Sequence, residues 1–166
     1  MNITKFNKLV TTDMIFQLME CCHCHTWAVR VANAQPFLSV DNLLEYASKL
    51  WLVATEQEIL EAFSDHPKIG DMTALRSKYA STAEAEQGQV TLADERVLLA
   101  LHDQNEAYYN KFGFIFIVCA TGKSASEMLG LLDERINNSR DEELVNGARE
   151  QGAIMSLRLK KLLKDD

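Results

Sequence analysis

Hydrophobic residues recur at helical spacing along most of the chain. In the segment DNLLEYASKLWLVA the apolar residues share one face of a helix: Leu43, Leu44, Ala47, Leu50 and Trp51. Ser39 or Asp41 is placed to cap this helix, since their side-chain oxygens can accept hydrogen bonds from first-turn amides. Thr55 with Glu58 has the spacing of a capping box, which predicts a second helix over EQEILEAFSD.

Similar patterns with start signals predict further helices on both sides of this pair. They are MIFQLMECC from Thr12 or Asp13, WAVRVANAQ up to Pro36, ALRSKYA from Asp71 or Thr73, DERVLLALHDQNEAYYNKF from Thr91 with Asp94, ASEMLGLLDERIN, and a last helix from Ser139 with Glu142. Only two prolines and seven glycines interrupt the chain, a composition that favours long helices.

The run FIFIVCA after Gly113 is the exception to the helical pattern. Its β-branched residues favour a strand, yet no second alternating segment is present to pair with it. We therefore expect a buried extended segment or a turn of helix near residues 113–120, with backbone groups available to a ligand if they are not paired internally. The predicted fold is all-α, a single-domain bundle of about seven to nine helices spanning residues 1–166.

Charge and apolar patterning exclude two classes of partner. A net charge of -7 leaves no broad basic field for nucleic acid. No apolar stretch reaches the length of roughly 20 residues that a membrane-spanning helix needs. Four cysteines without the spacing of a disulfide framework indicate reduced thiols, so we expect a cytoplasmic protein without a membrane partner.

The run ECCHCHTW, residues 20–27, raises the possibility of a metal site. Tetrahedral zinc sites use ligand pairs a few residues apart and usually a second, distant pair, which this sequence lacks. We expect residues 21–25 to be helical, so that neighbouring side chains diverge by about 100° and cannot share one ion. No metal is predicted, and the thiols are interpreted as core residues beside two solvent-facing imidazoles.

His66 is the more informative histidine because Pro67 follows it directly. The proline ends the preceding helix and holds the backbone of His66 near an extended conformation. An imidazole with an ordinary pKa of about 6.5 can give or take one proton at neutral pH. The dipeptide alone is also compatible with a plain helix stop and a surface histidine.

Four segments together resemble one enzyme family. DHPKIGD, AEAEQ, NEAYYNKFGFIFIVCATGK and IMSLRLKKL, in this order and spacing, are similar to the 2-oxo-4-hydroxy-4-carboxy-5-ureidoimidazoline (OHCU) decarboxylases of urate breakdown. The resemblance extends over nearly the whole chain, from Cys21 and Trp27 to Arg158. It implies an all-helical, cofactor-free homodimer that converts a small ureidoimidazoline substrate to (S)-allantoin.

The resemblance also implies which residues form the site. His66 matches the catalytic histidine, and Pro67 matches a residue that lines the site beside it. Glu86 and Gln87 match the acid and amide of an SxxEQ motif; Glu86 would orient His66 or the substrate hydroxyl, and Gln87 would bind the ureido and ring amide edges. Ala83 departs from that motif, because a serine often stands there, which puts a hydroxyl contact with the substrate in doubt.

Two further parts of the site follow from the same resemblance. Val118, Cys119 and Ala120 lie in the segment whose backbone the family uses against the heterocycle, and Arg158 resembles a C-terminal arginine that reaches the pocket. Two alternatives stay open: a helical binding or interaction module that keeps the pocket without catalysis, and a metal protein built on the cysteine and histidine run.

Overall fold

The computed structural model describes residues 1–66 and 92–164, and it contains eight α-helices and no β-strand within those ranges. This confirms the all-α prediction. The helices are α1 (Ile3–Asn7), α2 (Thr11–Cys21), α3 (His25–Ala32), α4 (Val40–Leu52), α5 (Glu56–Ser64), α6 (Leu92–Phe112), α7 (Ala125–Arg135) and α8 (Arg140–Leu162). Across these ranges none of the helices is both long enough and apolar enough to cross a bilayer.

The chain packs as two compact units. The first comprises Met1–Asp65 and Asn146–Asp166, and the second comprises His66–Val145. Helix α8 begins in the second unit and continues into the first. That residues 1–166 form one functional domain stays a prediction.

Three helices begin with the caps expected from the sequence. The Ser39 hydroxyl accepts a hydrogen bond from the first turn of α4 at 3.0 Å. The Glu58 amide donates to Thr55 Oγ1 at 3.2 Å while the Thr55 amide donates to the Glu58 carboxylate at 3.3 Å. Ser139 and Glu142 make the same reciprocal pair at 3.2 and 2.8 Å. Each cap satisfies amides that lack an intrahelical partner, which is why these positions fix the helix starts.

The start predicted for α2 is wrong. The helix begins at Thr11 after Val10, which provides no side-chain cap, so Thr12 and Asp13 lie inside its first turn. Asp13 there places a negative charge near the positive end of the helix dipole. The caps predicted at Asp71, Thr73 and Thr91 lie outside the described residues.

Two tryptophans organise the core of the first unit. Trp27 of α3 is buried and donates its indole N–H to the Ala47 carbonyl at 3.0 Å. Trp51 of α4 donates to the Ala148 carbonyl of α8 at 2.8 Å. Both rings therefore bury a large apolar surface while their single polar group stays paired.

The prediction of a helix over residues 21–25 is wrong. Helix α2 ends at Cys21 and α3 begins at His25, and between them Cys22 and Cys24 have extended backbone conformations. Extended residues alternate sides, so Cys22 and Cys24 both enter the core while His23 between them is partly exposed. Both thiols are thereby buried in the core of the first unit.

Candidate functional site

Only part of the predicted site lies in the described chain. His66 is half-buried and follows α5 directly, after Asp65 at the C-terminal cap. Val118, Cys119 and Ala120 belong, like His66, to the second unit, whereas Arg158 is on α8 in the first unit. The remaining predicted residues lie outside the described ranges: Pro67, Ala83, Glu86 and Gln87.

The segment after α6 is non-helical and partly buried, which agrees with the extended alternative of the prediction rather than with a turn of helix. Gly113 has a φ of 79°, a left-handed conformation that stops the helix at little steric cost for glycine. Phe114, Phe116 and Ile117 are buried beyond it. The chain then reaches Gly122, also in a left-handed conformation with φ 75°, just before α7.

Side chains and carbonyl groups of the segment contact other parts of the second unit. Val118 and Ala120 pack against a small apolar cluster formed by α6 and α7. Arg135 donates to the Ile117 carbonyl at 2.8 Å, and the Lys123 ammonium donates to the Cys119 carbonyl at 2.8 Å. The Lys123 amide donates to the Ala120 carbonyl at 3.1 Å.

Three backbone amides of this segment have no acceptor among the described residues. Over the described ranges, the N–H groups of Val118, Cys119 and Ala120 make no hydrogen bond. A half-buried backbone donor without a partner is uncommon, because an unmade hydrogen bond costs about 1–3 kcal/mol. With three neighbouring carbonyls occupied and the amides open, the segment is a donor surface suited to carbonyl, carboxylate or ring-nitrogen acceptors.

Arg158 lies close enough to the cysteine run to affect its ionisation. Burial raises the pKa of Cys21 to about 11, while the positive charge of Arg158 acts in the opposite direction. Burial also raises the pKa of the Cys22 and Cys24 thiols. These are the properties of inert core thiols, since reactive and metal-binding cysteines need an accessible thiolate.

The described residues contain no group of three or more histidine, cysteine or acidic side chains arranged to hold a metal ion. His25 is exposed and the three neighbouring thiols are buried, so the run directs its potential ligands to different environments. This arrangement does not support the metal alternative.

A buried charged cluster that the sequence did not reveal contacts the segment 113–120 through Arg135. Arg135 of α7 donates from Nε to Glu143 Oε1 of α8 at 2.8 Å, and Tyr108 of α6 donates to the same oxygen at 2.7 Å. Glu143 is fully buried. Its place in the sequence, one residue after the capping acid Glu142, makes it resemble an ordinary first-turn acid.

Both the sequence and the structure of this chain are similar to those of known proteins. The family model described as OHCU decarboxylase matches residues 7–160. The uric acid degradation bifunctional protein TTL of Arabidopsis thaliana is 35% identical over 149 residues, which cover 87% of this chain and 46% of that protein. The chain thus spans about half the length of that relative.

Two other relatives are covered over most of their length. The 2-oxo-4-hydroxy-4-carboxy-5-ureidoimidazoline decarboxylase of Halalkalicoccus jeotgali is 30% identical over 139 residues, or 81% of this chain and 76% of that protein. A crystal structure of an OHCU decarboxylase in the presence of (S)-allantoin superposes with a TM-score of 0.72 at 33% identity. That match covers 89% of this chain and 96% of the crystallised one.

Proposed function

This chain belongs to the OHCU decarboxylase family, and from that premise we propose that it decarboxylates 2-oxo-4-hydroxy-4-carboxy-5-ureidoimidazoline to (S)-allantoin in urate breakdown. The family match over residues 7–160 is the observation that carries the proposal. The open amides of residues 118–120 support it, because the substrate offers carboxylate, carbonyl and ring-nitrogen acceptors.

The substrate can carry out this reaction without a separate electron sink. Its hydroxyl and carboxylate share one ring carbon beside a conjugated C=N bond. When the carboxylate leaves as carbon dioxide, the bonding electron pair spreads into the ring, and a proton then adds on one face. The protein must supply orientation, that proton, and donors for the developing charge.

We assign the proton to His66. It follows the capped end of α5, and it is half-buried, so solvent competes only partly for its ring. An imidazole exchanges a proton readily near neutral pH, which suits a group that protonates one face of an intermediate. Protonation from a fixed direction would account for a single enantiomer of allantoin. In this scheme Glu86 orients His66 or the substrate hydroxyl, and Gln87 binds the ureido edge.

The amides of Val118, Cys119 and Ala120 have a different role. They hold acceptor atoms of the heterocycle and stabilise negative charge that appears on those atoms as carbon dioxide leaves. Backbone donors suit this role because they are fixed before the substrate arrives, and removal of one such donor elsewhere has cost about 3 kcal/mol of transition-state stabilisation. Arg158 is assigned to the substrate pocket, on the family resemblance alone.

The test is enantiomeric excess rather than the loss of substrate, because the substrate also decays spontaneously to racemic allantoin. Freshly generated substrate is followed by circular dichroism of the product. We expect the wild-type chain to give (S)-allantoin, and His66→Ala to give the racemate at the spontaneous rate. His25→Ala is the matched control, since His25 is an exposed histidine at the start of α3. An unchanged excess in His66→Ala would exclude the assigned role.

A non-catalytic binding module is the competing outcome of the same experiment. Ala83 is the feature that favours it, because it replaces a hydroxyl common in the family motif. Such a module would bind (S)-allantoin in a calorimetric titration yet leave the rate and the racemic product of spontaneous decay unchanged.

We further propose a homodimer in the cytoplasm. Large apolar side chains exposed on the first unit support an interface between copies: Val10, Phe16, Leu38 and Leu52. Four free cysteines fit a reducing compartment. Light scattering coupled to size exclusion tests the dimer, and a monomer at micromolar concentration would contradict it. Fractionation of the source cells with an antibody to the chain tests the location.

A further inference from the structure

The cluster of Tyr108, Arg135 and Glu143 in the second unit is built around one carboxylate. Glu143 is fully buried, and the Arg135 side chain is only 11% exposed. Glu143 accepts from Arg135 and Tyr108 on Oε1, and from Asn138 on Oε2 at 3.0 Å. Burial raises the pKa of the Tyr108 hydroxyl, and its hydrogen bond to Glu143 adds to the effect. Tyr108 therefore stays protonated and remains a donor.

Arg135 connects this cluster to the non-helical segment. Its Nη1 donates to the Ile117 carbonyl at 2.8 Å, and its guanidinium carbon lies 4.5 Å from the centre of the Phe116 ring. Phe116 also contacts Tyr108, because their rings meet edge to face with centroids 5.3 Å apart. One planar guanidinium thus fixes both a side chain and a carbonyl immediately before Val118.

Stability alone is a poor reason for this arrangement. Burying an ion pair removes two charges from water, and apolar residues of similar volume are often as stable or more stable. Arg135 also leaves Nη2 buried without a hydrogen bond in the part of the chain that is described. The Arg135 guanidinium thus leaves one donor unpaired within the described ranges while its other two hold Glu143 and the Ile117 carbonyl in fixed positions. This indicates that the geometry of these contacts matters, and a planar guanidinium fixes such geometry better than the ammonium group of a lysine.

We propose that Arg135, oriented by Glu143, is a positioning residue for the decarboxylation: it fixes the Ile117 carbonyl and Phe116 so that the amides of residues 118–120 face the substrate. The inference rests on the proposed function. Arg135 acts through the backbone, and the proton transfer assigned to His66 is separate from it. Loss of Arg135 is expected to loosen the amide surface while the apolar contacts of Val118 and Ala120 remain.

The decisive variant removes the Arg135 donor and also removes the charge of Glu143, so that no unpaired charge is left buried. Arg135→Met with Glu143→Gln exchanges the ion pair for uncharged groups of similar size, and the new amide can still accept from Tyr108. We expect a folded protein with a thermal midpoint near that of the wild type. Its affinity for (S)-allantoin and its kcat/KM should each fall about tenfold to a hundredfold, the effect of misplacing substrate contacts by about an ångström. The pH profile of kcat should keep its midpoint, since the proton donor is unchanged.

Two comparison variants separate positioning from stability. Tyr108→Phe removes a hydrogen bond to Glu143 but leaves the Arg135 contacts, so it should lower the thermal midpoint and keep kcat/KM within about threefold, as expected for loss of one buried hydrogen bond outside the site. Arg140→Met tests an exposed arginine whose guanidinium carbon lies 5.5 Å from the Phe114 ring centre, and it should retain activity. Activity that falls in proportion to stability across all three variants would overturn the proposal.

A measurement on the wild-type protein makes the test independent of how the variants fold. Titration with (S)-allantoin should shift the amide resonances of Val118, Cys119 and Ala120, together with the Arg135 Nε–H signal. Unchanged amide signals at saturating ligand would overturn the positioning role. The proposed function fails separately, if wild-type protein leaves the product racemic, so the two failures are distinguishable.

Discussion

Gly147 of α8 is the glycine whose replacement tests the packing against α5, the helix that precedes His66. A Cβ added at position 147 would lie 2.7 Å from Phe63 Cζ and 3.2 Å from Phe63 Cε2. Phe63 is buried in the last turn of α5, which ends at Ser64, two residues before His66. Gly130 of α7 provides a matched control, because a Cβ added there meets nothing within 4 Å.

The two substitutions should act in opposite directions. Alanine in place of glycine inside a helix stabilises by about 1 kcal/mol, and Gly130→Ala should realise most of this. At position 147 the Phe63 ring must move by roughly 0.8 Å to restore an ordinary carbon contact of about 3.5 Å. Overpacking of this kind costs about 1–3 kcal/mol. Gly147→Ala should therefore be destabilising by about 1 kcal/mol, some 2 kcal/mol below Gly130→Ala.

Thermal unfolding followed by circular dichroism measures the difference. For a chain of this size about 2 kcal/mol corresponds to a gap of roughly 4–8 °C between the two midpoints. Because a displaced Phe63 shifts the end of α5, Gly147→Ala should also lower kcat/KM, whereas Gly130→Ala should not. A Gly147→Ala variant as stable as Gly130→Ala would show that Phe63 moves aside without cost, and the reasoning from the contact distance would be refuted.

Three further outcomes follow from the thiols and from the cap of α5. In native protein Ellman's reagent should label one thiol per chain, Cys119, and (S)-allantoin should slow the labelling; rapid reaction of a second thiol would contradict the burial of the others. Between about pH 9 and 11 unfolded Cys21 ionises while the folded thiol stays protonated, so stability falls by up to about 3 kcal/mol. Urea unfolding should show a shallower alkaline decline in Cys21→Ala, and equal slopes would exclude this cause. Thr55→Ala should cost about 1 kcal/mol in the same assay through loss of the capping box with Glu58, and an unchanged midpoint would contradict that value.

Local signals predicted much of the fold because they act within a few residues. Ser39, Thr55 and Ser139 each mark a helix start with a side chain that bonds an amide three residues on, so neighbours in sequence suffice to identify them. The break at residues 22–24 could not be found in this way. It depends on the burial of Cys22 and Cys24 in a core assembled from distant helices, which overrides local helical preference.

The candidate site likewise contains features that local signals predict and features that depend on distant residues. His66 was singled out by its motif and by the family resemblance, and residues 118–120 by the resemblance; Phe114, Phe116 and Ile117 of the segment are buried, whereas residues 118–120 are half-buried. The hydrogen bond to the Ile117 carbonyl was not predictable, since its donor Arg135 lies 18 residues later in the chain. The roles of all the predicted site residues stay predictions: His66, Pro67, Ala83, Glu86, Gln87, residues 118–120 and Arg158.

The buried position of Glu143 could have been predicted from the helical period of α8. The buried positions of α8 repeat every four residues: Glu143, Gly147, Gln151, Met155 and Leu159. Extending the apolar face at Met155 and Leu159 back along the helix therefore assigns a carboxylate to the interior, where it requires cationic and hydrogen-bonding partners. An acid on the buried face of a helix is a stronger signal than an acid near its start, because burial without such partners would be prohibitive. Here those partners include Arg135, whose second contact is the carbonyl immediately before the predicted substrate-binding amides.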